Sequence, residues 1–384
     1  MKQYLSTISP QAIKKTYRLV RYKNERKKYL RERHIRKAQN TDIRNLFDSE
    51  AEKLIVFVVQ GADWETGKDK ISGGAMSITS ICEETANVQH IHQSETIMVT
   101  MNQEHLLLEH TQFENRTKIF RFDQLAGFFK NVQDIIIHIP EFLVSRFCET
   151  LSKKDKVWID SMKNVHFNIM NQNIRLMPSP DQIQVLKRFG NKVTITTAHQ
   201  QYCSPHFRSF YAVPIHKFSV WISPEQYKFV PWHLKENLMV VSPDKHSLRD
   251  GLLAKLQLIE GLTVTVIQNL KYQEYKELIS RAKWSLTFGE GLDGYLIEPV
   301  FSGAIGFAAY NKDFFTSDFE GLPSIYPDMQ TLFERIFGDI KRLDEREAYQ
   351  QVQQRLMEIC ASHYSHETYR RNIMNFYTGN YTYA

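Results

Sequence analysis

The residues of this chain best suited to chemistry stand between Gly289 and Gly303. There Gly289-Glu290-Gly291-Leu292 is followed by Glu298-Pro299 and Ser302-Gly303, so two carboxylates lie eight positions apart. The run before them, Trp284-Ser-Leu-Thr-Phe288, has the apolar content of a buried strand. In an open α/β sheet, ligands sit beyond the carboxyl ends of the strands, so position nominates Glu290. Gly289 and Gly291 remove side-chain bulk where backbone must turn sharply or approach a ligand. The helix expected next presents unpaired amides that attract phosphate. A carboxylate repels phosphate but accepts paired hydroxyls, each charge-assisted bond being worth ~1.5–3 kcal/mol. The pair therefore suits a hydroxyl-rich ligand, with Glu290 toward one end and Glu298 toward the other. Taken singly, each would pass for a helix N-terminal acid complementing the macrodipole. The two glycines, the strand before and Ser302-Gly303 after favour a binding site.

These residues need a strand-loop-helix frame, and the surrounding pattern supplies one. Leu238 to Ser242, Leu262 to Ile267 and Trp284 to Phe288 read as strands, with helices at His246 to Glu260 and Gln273 to Arg281 between them. An earlier series starts at Lys53-Leu-Ile-Val-Phe-Val-Val, where a Gly-rich step, Ile71-Ser-Gly73-Gly74-Ala-Met, leads into a helix through Ile81. Further strands are expected at Thr96 to Met101, Lys118 to Phe122, Asp134 to Ile139, Val165 to Ile169 and Val193 to Thr197. Helix-like segments at Phe122 to Lys130 and Glu141 to Ser152 separate some of them. Such alternation favours parallel, doubly wound sheets. Between Tyr211 and Asn237 the pattern turns aromatic and is interrupted by Pro214, Pro224 and Pro231, which puts a domain crossover there. The tail from Leu343 to Thr378 reads as helical, and no internal repeat is visible.

Composition sets the outer bounds. A chain of 384 residues with 42% hydrophobic content can build two cores. Twelve Lys or Arg and two acidic residues lie between Gln11 and Lys37, leaving 37 basic against 41 acidic residues elsewhere. The charge is thus one basic appendage on a slightly acidic body, a distribution that argues against nucleic acid as the partner. Ile13, Tyr17 and Val20 give that segment an amphipathic helical pattern, suited first to a solvated helix, next to an anionic membrane surface and least to nucleic-acid contact. The apolar runs fall well short of the ~20 residues that cross a bilayer. No secretion signal is apparent, so a cytoplasmic location is expected, extending to the inner face of the cell membrane. Cys82, Cys148, Cys203 and Cys360 show no zinc spacing and read as free thiols, with no metal site expected.

The segment Glu290-Gly291-Leu292, four residues, Ile297-Glu298, three residues, Ser302-Gly303 is similar to the E-x7-E segment of GT-B glycosyltransferases, especially the large retaining family four. The resemblance covers roughly the last 150 residues well and the first domain in outline. It implies an α/β fold of two Rossmann-like domains facing a central cleft, with C-terminal helices returning to the first domain. The corresponding division is 1–52 for the basic helical extension, 53–215 for the acceptor domain, 216–365 for the donor domain and 366–384 for the returning helix. By resemblance, Glu290 contacts the donor sugar, amides at Gly291 and Leu292 hold the diphosphate, and Glu298 binds ribose hydroxyls. The implied activity moves a sugar from a nucleotide-diphosphate sugar to a hydroxyl acceptor, saccharide or lipid-linked, in bacterial-type surface polysaccharide or glycolipid synthesis. That nucleotide sugar is a co-substrate; no cofactor is implied, and there is no DxD signal for a metal.

First-domain residues must complete such a site. His138, at the end of the Asp134 to Ile139 strand, resembles the family histidine that touches the donor sugar, although a strand-end histidine can be satisfied by its surroundings. His199, after Thr196-Thr197-Ala198, repeats that setting, and Gly73 and Gly74 would admit a phosphate or acceptor, or form a plain tight turn. Under retention the leaving diphosphate takes the acceptor proton; inversion would need a base, for which His138 and His199 compete. Two positions depart from the family pattern. Asp293 stands where glycine is usual, bringing a negative charge close to the expected diphosphate. In Ser242-Pro-Asp-Lys245-His246 only Lys245 is an obvious phosphate cation, with His246 or Arg249 as substitutes. These departures open a second reading, a weak or inactive GT-B-like scaffold or partner subunit. A third is a GT-B-shaped sugar-nucleotide epimerase.

Overall fold

The computed structural model describes residues 23–63, 66, 69, 72–113 and 117–384. Two parallel sheets organise it. The first contains β1 (Lys53–Val59), β2 (Glu95–Thr100), β3 (Ile119–Arg121), β4 (Asp134–Pro140), β5 (Asn164–Asn171), β6 (Lys192–Thr197) and β7 (Ile215–Lys217), in the order β3-β2-β1-β4-β5-β6-β7. The second contains β8 (Glu236–Val241), β9 (Thr263–Val266), β10 (Ala282–Leu286), β11 (Ile305–Ala309) and β12 (Ile325–Tyr326), ordered β12-β11-β10-β8-β9. Every pairing in both sheets is parallel. A strand covered on both faces reads as a continuous apolar run, and Leu54 to Val59 is buried at every position.

The helices that matter for the site are α1 (Lys23–Leu46), α2 (Gly73–Asn87), α3 (Arg249–Leu256), α4 (Tyr272–Arg281), α5 (Gly294–Phe301), α6 (Met329–Leu343), α7 (Arg346–His363) and α8 (His366–Tyr377). Helix α1 docks beside the β3 edge. Gln39 donates to the carbonyls of Leu107 and Ile119 at 3.1 and 2.8 Å, and Arg36 pairs with Asp123 at 3.0 Å. Ile13, Tyr17 and Val20 lie outside the described residues. The segment from Tyr211 to Asn237 still contributes β7 to the first sheet before the chain crosses over.

Several elements are shorter than the pattern suggests. The region after Phe122 tightens into a 3-10 turn and a four-residue helix, Leu125–Phe128. The region after Glu141 similarly gives a 3-10 turn and Val144–Thr150. Helix α3 starts late because the ring nitrogen Nδ1 of His246 accepts from the Leu248 amide at 3.1 Å, holding a turn there. Strands β7, β11 and β12 carry no alternation long enough to announce them.

The C-terminal tail divides into α6, α7 and α8, the last capped by Ser365, whose hydroxyl accepts from the Thr368 amide. Helix α8 returns to the first domain and packs on α2. There Tyr369 donates to the Ser80 hydroxyl at 3.2 Å and Arg370 pairs with Glu84 at 3.3 Å. The chain then pairs Tyr383 with Ile215 through backbone bonds of 2.8 and 2.9 Å.

This return fixes His138, and not where a ligand could reach it. His138 is completely buried on β4, stacked on Phe57 with ring centroids 4.3 Å apart. Asn168 donates to its Nδ1 at 2.9 Å, an assignment set by the Asn168 bonds to Thr194 and Thr196. Its Nε2–H then donates to the Tyr377 hydroxyl at 2.9 Å. Burial, followed by nearby His166 and His92, holds it well below the ordinary histidine range, so it stays neutral. The expectation that His138 touches a donor sugar is therefore corrected: both nitrogens are committed to the core. Tyr377→Phe should leave Nε2–H unpaired and lower unfolding free energy by about 1–3 kcal/mol, measured in urea, with nucleotide affinity unchanged.

Candidate functional site

The loop after β10 is built by its glycines and its aspartate. Gly291 has φ of +89°, and a β carbon there would lie 2.5 Å from Phe315 and 2.8 Å from the Ala309 carbonyl, so only glycine fits the turn. Asp293 then caps α5. Its Oδ1 accepts from the amides of Tyr295 and Leu296 at 2.9 and 3.2 Å, and its Oδ2 accepts from the Thr287 hydroxyl at 2.7 Å. The turn and cap aim Glu290 outward and put Glu298 on the second turn of α5, facing α4. Glu298 is 6% exposed and accepts from the Tyr272 hydroxyl at 3.2 Å, which in turn is 2.8 Å from the hydroxyl of Tyr227.

Both sheets turn strand carboxyl ends toward one cavity of about 800 Å³ between the domains. From the second domain come Asp244 after β8, Ile267 after β9, Gly289, Glu290, Leu292 and Asp293 of the loop after β10, and Tyr272 and Tyr275 of α4. From the first come Gln60 after β1, Glu141 after β4, Gln172 and Asn173 after β5, and His199 after β6. The start of α2 joins them. Ser72 caps that helix through the Ala75 amide at 3.1 Å, and a β carbon on Gly74 would lie 2.6 Å from the Gln172 side chain. Contacts cross the cleft directly. Asn173 donates to Glu290, Arg175 pairs with Asp313 at 3.0 Å, and the Tyr272 amide donates to the Gln112 carbonyl at 3.1 Å.

The electrostatics of the cavity are one-sided. Glu141, Asp244, Glu290, Asp293 and Glu298 line it, and none of its described lining residues is Lys or Arg. Burial pushes the Glu290 carboxyl up to about 7, with Asp293 adding to the rise and Arg175 opposing it. Burial and neighbouring acid likewise raise Asp293 to about 7 and Glu298 to about 8. Glu141 rises to about 7 through burial, opposed by its bonds from the Gln172 and Asn173 amides. His199 is held down to about 4 by burial, while its Nε2 lies 3.1 Å from the Gln172 carbonyl as donor. Among the described residues no group of three His, Cys, Asp or Glu side chains is arranged to hold a metal ion.

Of the residues singled out from sequence, Glu290, Leu292, Glu298, Gly73, Gly74 and His199 all line this cavity. Gly291 does not; it sits behind the loop against Phe315 and shapes it. Lys245 is exposed and outside the lining, so the expected phosphate cation is not at the cavity wall. Arg249 is also outside the lining and lies 3.7 Å from Asp250. Sequence reasoning passed over Glu141, Asn173, Asp244 and Tyr272. The first three directly follow strands, a position that nominates them once the strands are known. Tyr272 opens α4, and nothing in its local pattern says that the helix faces Glu298.

Buried acids with raised values link proton uptake to stability. A carboxyl whose folded value exceeds its unfolded one, near 4.5 here, contributes stability that is fully present below the unfolded value and lost as pH rises through the folded one. While His138 and His199, held neutral by burial, contribute in the opposite sense below the ordinary histidine range, the contribution of these carboxyls to stability should therefore fall between about pH 5 and about pH 8. Glu298→Gln should melt higher than wild type at the upper end of that range and converge with it at the lower end; parallel melting curves would show that Glu298 carries no such linkage.

No protein-family model matches the chain, and no curated protein matches it in sequence. Solved structures do match in shape. A sucrose-phosphate synthase from Thermosynechococcus elongatus aligns with TM-score 0.55 and 10% identity, over 85% of this chain and 99% of that one. An α-glucosyltransferase in complex with UDP and a 13-mer DNA containing an HMU base aligns with TM-score 0.52 and 11% identity, over 85% and 100%. MnaA of S. aureus with UDP aligns with TM-score 0.51 and 10% identity, over 85% and 97%. At such identities the likeness is one of architecture. The chain has the two-domain α/β arrangement of the GT-B glycosyltransferase fold, with its cavity in the cleft between the domains.

Proposed function

We propose that this protein is a glycosyltransferase that moves a sugar from a nucleoside-diphosphate sugar to a hydroxyl acceptor, in the synthesis of a surface polysaccharide or glycolipid. The observation that carries the reading is the convergence of Glu290 and Glu298 on the interdomain cavity. Solved neighbours of the same fold hold UDP, which supports a nucleotide sugar as the ligand. In this reading Glu290 accepts hydroxyls of the donor sugar, the loop around Leu292 holds the donor backbone, and Glu298, braced by Tyr272, accepts ribose hydroxyls. Transfer proceeds with retention, the leaving diphosphate taking the acceptor proton. Catalysis then consists of placement and charge stabilisation. Were the anomeric configuration inverted, Glu141 and His199 would be the first-domain groups positioned to take the proton.

A second reading is favoured by one observation, the carboxylate-rich lining without Lys or Arg among the described residues. It makes the chain a GT-B-like partner subunit that does not turn over donor. Calorimetry against a panel of nucleotides and nucleotide sugars separates the two: binding supports the transferase, and its absence at low salt supports the subunit. Within the first reading, Glu298→Ala should weaken nucleotide-sugar binding by about 2–3 kcal/mol, and unchanged affinity would remove Glu298 from the ribose role.

The basic helix is assigned to an anionic membrane surface at the cytoplasmic face, where a lipid-linked acceptor would reside. Among the described residues no helix is long and apolar enough to cross a membrane. On α1, Arg26, Lys27, Tyr29, Leu30 and Arg33 are all exposed, the mixture of cations and apolar side chains that adsorbs to such a surface. Replacing Arg26, Lys27 and Arg33 together with Glu should abolish co-sedimentation with phosphatidylserine vesicles at about 0.1 M salt. Undiminished sedimentation would separate the helix from the membrane.

A further inference from the structure

Asp293, Gly294 and Tyr295 at the start of α5 line the cavity, and two of the helix's first amides, those of Tyr295 and Leu296, are already taken. Asp293 Oδ1 holds the Tyr295 and Leu296 amides, and Oδ2 holds the Thr287 hydroxyl. Its carboxylate thus occupies the place where an anionic ligand group bound at a helix N-terminus would lie. Asp244 crowds the same spot: a β carbon built on Gly289 would be 2.9 Å from the carboxylate of Asp244 and 3.0 Å from that of Asp293. None of the described lining residues carries a cation, and Lys245 is exposed and outside the lining.

We propose that Asp293 is an internal stand-in for phosphate, a specificity-determining residue that makes the donor's diphosphate compete with the protein's own carboxylate for the N-terminus of α5. The inference rests on the nucleotide-sugar reading and deepens it. Nucleotide binding becomes conditional: the diphosphate must displace Asp293 from the helix amides or dock beside it once its charge is neutralised. Among the described residues, the groups facing Asp293 offer no compensating cation. They are Asp244 after β8, Glu290 in the same loop, Tyr295 and Glu298 on α5, Tyr275 on α4 and Tyr364 after α7. Burial, with Asp244 adding to it, brings the Asp293 carboxyl up to about 7, so mild acid removes the competing charge. Glu290 and Glu298 titrate in the same interval, and variants of Asp293 itself are needed to isolate its part.

The test is calorimetric titration of UDP into the full chain as wild type, Asp293→Asn and Asp293→Gly, at about pH 8 and about pH 6. Glycine vacates the helix amides; asparagine keeps the cap and removes only the charge. At the higher pH, Asp293→Gly should bind UDP about tenfold tighter than wild type or better, with Asp293→Asn between them. On moving to the lower pH, wild type should gain several-fold and Asp293→Gly distinctly less. Wild type binding UDP as tightly as both variants at the higher pH overturns the role of Asp293 while leaving nucleotide binding intact. Failure of all three chains to bind UDP, or any member of the nucleotide panel titrated in the same way, overturns the nucleotide-sugar reading with it. Should Asp293→Gly lose its cooperative melt, Asp293→Asn decides alone, and no gain over wild type rejects the proposal.

Discussion

Charge taken out of water must be met by hydrogen bonds or by opposite charge, and in this cleft it is met almost entirely by the first. Glu141 is answered by the amides of Gln172 and Asn173, Asp293 by the amides of α5 and the Thr287 hydroxyl, Glu298 by Tyr272 and Glu290 by Asn173. That economy dictates much of the surrounding structure. The turn after β5 brings the Gln172 and Asn173 donors to Glu141 and Glu290, and the facing of α4 toward α5 brings Tyr272 to Glu298. It also sets the chemical character of the pocket, a surface of acceptors suited to hydroxyls and poorly suited to anions.

The legible part of the site was the part carried by local sequence. Glu290 and Glu298 announce themselves because the turn, the cap and the helix between them are contiguous, and the strand before them is a plain apolar run. His199 and the Gly73-Gly74 step could be nominated for the same reason, since each follows a recognisable strand or precedes a recognisable helix. His138 misled because a strand-end histidine looks alike whether it faces a cleft or a core. What decides is Tyr377, 239 positions later on a helix that returns to the first domain. Lys245 misled differently: a cation after the first strand of a domain is well placed in sequence, but the short turn closed by His246 leaves its side chain in solvent.

Most strands were readable from their own apolar pattern, the three-residue β3 and four-residue β9 included, whereas β7, β11 and β12 were not. β1, β4, β5 and β6 carry six to eight residues each and were expected close to where they lie. β7 and β12 have three and two, and their pairing depends on the neighbouring strand rather than on their own pattern. Asp293 shows the converse case, in which local sequence and tertiary role agree. As a helix cap it is ordinary; its importance comes from the cavity into which that helix points.

The return of α8 has a bearing on how the molecule is made. Tyr369, Ile373 and Phe376 complete the core cluster that includes Ile55, Phe57 and Val59 of β1, so the first domain is finished by the last helix. At translation rates of roughly 5–20 residues per second, the ribosome needs roughly ten to thirty seconds after β7 to deliver that helix. For that interval one face of the first sheet stands exposed around His138 and Phe57, and the second domain is synthesised beside it. The two domains cannot therefore fold as independent beads in chain order. The earlier one waits, partly assembled, for the later one to hand back its missing helix.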